Sequence, residues 1–271
     1  MHLAITHSTR YDYSPPIAHG LLRIRLRPKS THGQHVVDWS MELDGAQVEC
    51  EYEDQHNNRV VLASVHPGAS VVTVMCRGVV ETTDNAGVIG QHAGHMPLWA
   101  FAKQTDLTRP GTRIRALATS LASEGLGPLE QLHELSQRVH AAVAYEIGRT
   151  DADTTAEQAM QAGHGVCQDH AHIFISAARE LGIAARYVSG YLMMDDRSEQ
   201  EAGHAWAEAF VPDLGWVGFD VSNGICPDER YVRVATGCDY RDAAPIAGIS
   251  YGAGDSALEV RLSVEQHTTA Q

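Results

Sequence analysis

A chain of 271 residues is long for one domain and short for three, so one or two domains are expected. Hydrophobic residues make up 44%, enough for a substantial core, and a formal net charge of −14 weighs against nucleic acid as a partner. No apolar run reaches the roughly 18 residues of a membrane helix, and the start, MHLAITHSTR, lacks the basic-then-apolar pattern of a secretory signal. The five cysteines are odd in number and irregularly spaced, which predicts a reducing, cytoplasmic setting rather than a disulfide framework.

Residues 1–86 read as strands. Leu22, Ile24 and Leu26 alternate with Arg23, Arg25 and Arg27, and Asp44-Gly45 and Asn57-Asn58 break a longer β-rich stretch. The expectation is a small antiparallel β-sandwich. The arginine stripe reads as a solvated strand face, because no aromatics interleave with it.

Residues 87–110, rich in Gly, His and Pro, read as a connector, and residues 111–271 as a second, α+β domain. Thr112 opens one helical pattern. Pro128 opens another, with Leu132, Leu135, Val139 and Val143 at helical spacing, and Thr154 or Thr155 caps a third. A Gly-rich turn then leads into a helix from Cys167 that closes at Gly182. A strand over 184–193 follows, then two more around Pro212-Asp213-Leu214-Gly215, and a last one over 257–266.

Cys167 stands where loop becomes helix. Free amides and the positive end of the helix dipole stabilise a thiolate there, and the thiolate is the nucleophilic form of cysteine. The same amides can face a developing oxyanion. Gly163 and Gly165 would let backbone come close to the sulfur. Along the helix, Cys167, His170, Ala171, Phe174, Ala178 and Leu181 form one stripe. Asp169, His172, Ser176, Arg179 and Glu180 fall away from it.

A thiol nucleophile needs a base, and the base needs an orienting group. His204 opens a strand after Gly203, and Asp220 lies beyond the next turn among apolar neighbours. A three-residue loop, 212–214, would put both side chains on one face as a diagonal pair about 7–8 Å apart. A two-residue loop would put them on opposite faces.

These residues, GVCQDHAHIFISAARELGI followed by GHAWAEAFVPDLGWVGFDVSNG, resemble the bacterial transglutaminase-like superfamily of papain-like thiol enzymes. HSTRYDYSPPI and LLRIRLRP resemble that family's N-terminal β accessory domain. The resemblance implies an α+β fold in which an N-terminal antiparallel β-sandwich precedes a papain-like core, with the nucleophile helix packed on an antiparallel sheet. It implies Cys167, His204 and Asp220 as catalytic triad, and Tyr145, Gly165, Val166, Gln168, Asp169 and Trp206 as cleft residues. It implies acyl transfer through a thioester on a peptide or protein amide substrate. Hydrolysis by a peptidase or amidase is expected; protein-glutamine transamidation and a non-catalytic scaffold are the alternatives. No cofactor, metal, membrane or nucleic-acid partner is implied. Gln161, six residues before Cys167, is weighed as an oxyanion donor against an ordinary polar residue at a helix end. Two positions depart from the family pattern: His170, where an aromatic is usual, and Cys238, where an arginine is usual. His164, Cys167, His170 and His172 are weighed as a metal cluster, but His170 and His172 fall on different helix faces.

Overall fold

The computed structural model describes residues 1–252 and 255–267. The first strands are β1 (His2–Ser14), β2 (His19–Arg27), β3 (Gln34–Asp44), β4 (Ala46–Glu53), β5 (Arg59–Val65) and β6 (Val71–Thr82). Their alternation is plain in β1, where Leu3, Ile5, His7 and Thr9 are buried and the residues between them are not. Next come β7 (Val88–Gly90), a 3-10 turn (Leu98–Ala102), α1 (Thr112–Ala122), α2 (Pro128–Ala142), β8 (Ala144–Tyr145), α3 (Ala156–Ala162) and β9 (His164–Gly165). The chain continues through α4 (Cys167–Glu180), β10 (Ala185–Leu192), β11 (Glu199–Gln200), β12 (His204–Val211), β13 (Gly215–Phe219) and β14 (Tyr231–Gly237). It closes with α5 (Tyr240–Ala243), β15 (Ile246–Tyr251) and β16 (Asp255–Gln266). The fold class is α+β.

Helix ends follow local chemistry. Pro128 is the first residue of α2, where its missing N–H costs nothing. The Thr155 hydroxyl accepts from the Gln158 N–H while Gln158 Oε1 accepts from the Thr155 N–H, a reciprocal cap on α3.

Two sheets, ordered β11-β16-β1-β6-β3 and β15-β2-β5-β4, form the sandwich. Tyr13, Ile17, Leu22, Ile24, Val61 and Val74 belong to the core between them. The third sheet, β14-β10-β12-β13-β7, carries the site. A further core joins the two lobes: Leu3, Ile5 and Val80 from the sandwich meet Tyr191, Val232 and Val234 from the third sheet.

The boundaries at 86 and 110 do not divide the chain as expected. β15 pairs with β2, and β16 pairs with β1 from Leu3↔Gln266 to Ser14↔Asp255, so residues 246–266 complete the sandwich rather than the second lobe. β1 has an open edge that only this segment fills, because β6 occupies the other. Within the connector, β7 adds an edge strand to the third sheet, and Phe101 packs edge-on against Trp216 with ring centroids 5.3 Å apart.

The arginine stripe also differs. Register shifts between Ile24 and Arg27, so Arg25 turns inward and pairs with Asp54 at 3.1 Å, both side chains buried. Arg27 reaches Glu51 at 2.7 Å, and Arg23 is exposed.

The helix α4 has no polar face. It is enclosed by α1, α2, α3, β10 and β12, and Asp169, His172, Ser176 and Arg179 are all buried. Arg179 is tolerated because its guanidinium donates to the carbonyls of Phe101, Ala185 and Cys238 and to the Thr108 hydroxyl, at 2.6–2.9 Å. Only Glu180, at the end of the helix, is exposed.

Candidate active site

Cys167 is the first residue of α4. The turn before it is fixed by Asp169, whose Oδ2 accepts from the Val166 N–H at 2.8 Å and from the Thr150 hydroxyl at 2.7 Å. Burial pushes the Asp169 carboxyl up from its ordinary value, while these two bonds pull the other way. Gly165 is required by this same contact. A Cβ there would lie 2.7 Å from the Asp169 Cβ, so its role is to admit Asp169 rather than to approach the sulfur. Gly163 has φ 72 and ends α3. The first intrahelical bond of α4 runs from His170 N–H to Val166 O, so the Cys167 and Gln168 amides have no carbonyl a turn behind them.

His204 is the first residue of β12, and Asp220 directly follows β13. The turn between these strands is the odd one, Pro212–Leu214, with Val211 paired to Gly215. Asp213 has φ 70, the left-handed residue of a three-residue hairpin loop. The register puts Ala207 opposite Phe219. His204 and Asp220 therefore share a face, and His204 Nε2 lies 2.6 Å from Asp220 Oδ2.

Asp220 is fully buried, and the same Oδ2 accepts from the Tyr231 hydroxyl and from Asn223 Nδ2, each at 2.7 Å. Burial alone would raise its pKa, but the hydrogen bonds and the charge of His204 hold it below the ordinary carboxylate value. For His204, burial works to lower the pKa. The bond to Asp220, contact with Cys167 and the charge of both overcome it and lift the imidazole to about 10. With Nε2 committed to Asp220, Nδ1 is the nitrogen left for the sulfur.

One cleft of about 280 Å³ is lined by Cys167, Val166, Gln168 and His204 together with residues of the sandwich. Of the sequence-predicted cleft residues, Val166 and Gln168 line it and the Tyr145 hydroxyl lies against Cys167, whereas Gly165, Asp169 and Trp206 do not line it. Gly165 and Asp169 shape the turn below Cys167. Trp206 is buried behind His204, stacked on it at 6.2 Å between centroids. Tyr145 is half-exposed and pairs with Gly165 through β8 and β9. Partial burial, followed by the charges of Cys167 and Asp220, pushes its hydroxyl up to about 12. Gln161 is exposed and bonded to Glu157 at 3.1 Å, so it is not an oxyanion donor.

The two departures from the family pattern have structural settings. His170 bridges the Ser222 hydroxyl at 2.8 Å and the Val143 carbonyl at 3.0 Å, tying the end of α2 to the turn after Asp220. Burial lowers its pKa. Cys238 does not line the cleft. It lies with His56 and Asp242, ligand atoms within 4.8 Å of one another, and Asp242 Oδ2 already accepts from the Cys238 N–H at 3.0 Å. The His164–His172 cluster does not converge. Both ring nitrogens of His170 are occupied, and His172 Nε2 accepts from the Tyr240 N–H at 3.1 Å.

Tyr231 and Asn223, which fix Asp220, escape sequence reasoning. Asn223, three residues beyond Asp220, fits a turn that closes on its own carboxylate, but Tyr231 arrives from β14 with no local signal.

A cysteine at a helix start, a buried histidine–carboxylate pair and a cleft joining them define the class of papain-like thiol folds. Two stretches of the chain are similar to transglutaminase-like families. Residues 115–221 match the transglutaminase-like superfamily core, and residues 3–81 match the bacterial transglutaminase-like N-terminal region. An uncharacterized protein of Mycobacterium leprae is 28% identical over 275 residues, covering 97% of this chain and 98% of that one. A protein-glutamine gamma-glutamyltransferase of Pseudomonas aeruginosa is 29% identical over 153 residues, covering 51% of this chain and 23% of that one. The crystal structure of a candidate cysteine protease from Cytophaga hutchinsonii has a TM-score of 0.76 at 20% identity, covering 98% of each chain, which shows the shared fold.

Proposed function

We propose that this chain is a thiol-dependent acyl-transfer enzyme that hydrolyses amide or peptide bonds. Cys167 is the nucleophile, His204 the general base and acid, and Asp220 the carboxylate that orients His204. The observation that carries this reading is the 2.6 Å contact between His204 Nε2 and Asp220 Oδ2, made in a cleft that His204 shares with Cys167.

The Cys167 sulfur attacks as the thiolate, its proton held by the neighbouring His204. The sulfur attacks the amide carbonyl carbon, and the oxygen takes the negative charge facing the Cys167 amide. His204 gives its proton to the leaving nitrogen as the C–N bond breaks, leaving a thioester. Acylation also removes the thiolate charge from beside the ring. The imidazole then becomes a better match for its second task, taking a proton from water. Hydroxide attack on the thioester releases a carboxylate, and the proton returns to the cysteine–histidine pair.

Transamidation uses the same acyl-enzyme with an amine in place of water, and the likeness to the Pseudomonas glutamyltransferase favours it as a second reading. The deciding test of the nucleophile is the alkylation rate of Cys167 against pH, for wild type and His204→Ala. A fast plateau well below the reference thiol pKa of about 8.5, lost in the variant, is expected. Ordinary thiol behaviour indifferent to His204 would sink the enzyme reading in favour of a scaffold. Release of ammonia or peptide, weighed against amine incorporation, then separates hydrolysis from transamidation.

A further inference from the structure

We propose that the cleft beside Cys167 selects a neutral, apolar substrate side chain adjacent to the scissile amide, and that the β-sandwich builds the far wall of that pocket. The proposal rests on the acyl-transfer reading and adds its substrate class.

The wall opposite the nucleophile comes from strands distant in sequence. Thr9 and Tyr11 of β1, Leu26 of β2 and Val260 of β16 face a cleft that begins at Cys167 and His204. Among the described residues, no Asp, Glu, Lys or Arg lines it. A charged substrate side chain lying against this far wall would lose its hydration and find no Asp, Glu, Lys or Arg there to pair with, which is costly.

Some of the polar groups that line the pocket are paired within the protein, and the remaining ones, including the Tyr11, Tyr187 and Tyr240 hydroxyls, are uncharged. His7 Nδ1 lies 2.8 Å from the Tyr191 hydroxyl, and Nε2 lies 3.0 Å from Thr9 Oγ1. Burial depresses His7 to about 4, so at neutral pH it presents an uncharged ring. The Ser189 hydroxyl donates to the Ala243 carbonyl at 2.6 Å. Away from the Cys167–His204 pair, a wall dominated by apolar side chains such as Leu26, Val234, Ile246 and Val260 rewards removal of apolar surface from water. For a side chain of leucine size that reward is about 10- to 100-fold in binding. The volume of about 280 Å³ admits such a group.

The test uses the full chain and a matched set of peptidyl acyloxymethyl ketones with Leu, Lys, Asp or Gln next to the reactive carbonyl. Iodoacetamide, too small to engage the pocket, reports the thiol separately. The leucyl ketone should label Cys167 at least tenfold faster than the other three. In Val260→Glu, and independently in Tyr11→Glu, the ratio of leucyl to lysyl labelling should fall at least tenfold, with circular dichroism confirming the fold. Ratios are taken within one protein, so a loss of stability does not imitate the effect. Rapid iodoacetamide labelling at low pH with no leucyl preference would overturn the pocket alone. A glutaminyl preference, or wild-type ratios in both folded variants, would do the same. Slow iodoacetamide labelling that rises with pH as an ordinary thiol does would overturn the triad reading and the pocket with it.

Discussion

Replacing Asp220 by Asn removes one charge and preserves much of the geometry. All three side-chain donors to Asp220, from His204, Tyr231 and Asn223, converge on Oδ2, so an amide oxygen placed there keeps its partners. What disappears is the negative charge facing the imidazole. An opposite charge at about 4 Å is worth about 4 kcal/mol at an effective dielectric constant of 20, and loss of such a neighbour moves a pKa by about 1–3 units. His204 should therefore fall from about 10 to roughly 7–9, because burial pulls it down once the carboxylate is gone. The assay is an NMR titration of the His204 ring in wild type and Asp220→Asn. The folded state should also change its response to pH. In wild type, the raised His204 contributes stability that is complete below its ordinary value of 6.5 and lost as pH rises through about 10. Depressed Asp220 contributes stability present above its ordinary 3.8 and lost as pH falls through its lower folded value. The variant should lose the Asp220 contribution and much of the His204 one, most clearly between pH 4 and 9. Superimposable His204 titrations in the two proteins would refute the assignment of Asp220 as the group that holds the ring charged.

Tyr231→Phe removes one hydroxyl donor from Asp220, so the acid limb of any Cys167 rate profile should move up by as much as about one to two pH units; an unmoved limb would mean that the hydroxyl does not support the carboxylate. Glu208→Gln leaves Arg186 and Arg233, now 2.6 and 2.7 Å from a fully buried carboxylate, without their counter-charge. Urea unfolding should show a loss of about 3–5 kcal/mol, and a loss below 1 kcal/mol would contradict the arrangement. Gly165→Ala drives a Cβ into Asp169 and should cost about 1–3 kcal/mol by the same method, together with a slower Cys167 alkylation. His170→Phe, which restores the family's aromatic, strands the Val143 carbonyl; a loss of about 1–3 kcal/mol is expected, and wild-type stability would show that the bridge to Ser222 carries no weight.

The legible part of the site was local. The glycine-rich turn, the helix start at Cys167 and the loop length that sets the phase of His204 against Asp220 all lie within short stretches, where backbone periodicity governs direction. The less legible part depended on partners far away in sequence. Asp169, His172 and Arg179 look like a solvated face until the carbonyls and hydroxyls that satisfy them are known. Arg25 was read as exposed because a register shift in β2 leaves no compositional trace. Trp206, next in its motif to the histidine, supports the ring from behind instead of meeting substrate. The wall formed by Thr9 and Val260 joins positions about as distant as the chain allows, and no spacing rule connects them.

That same β1–β16 pairing sets an order of events in synthesis. Thr9 emerges from the ribosome early, and its neighbour Val260 is made only near the end of the described chain. Until then β1 has a vacant edge, and Leu3 and Ile5 lack Leu262 and Val264 to cover them. Cys167, His204 and Asp220 have all been made by residue 220, but the far wall of the cleft beside them has not. In order of synthesis the far wall of the cleft, with Val260, is therefore the last part of the candidate site to be made.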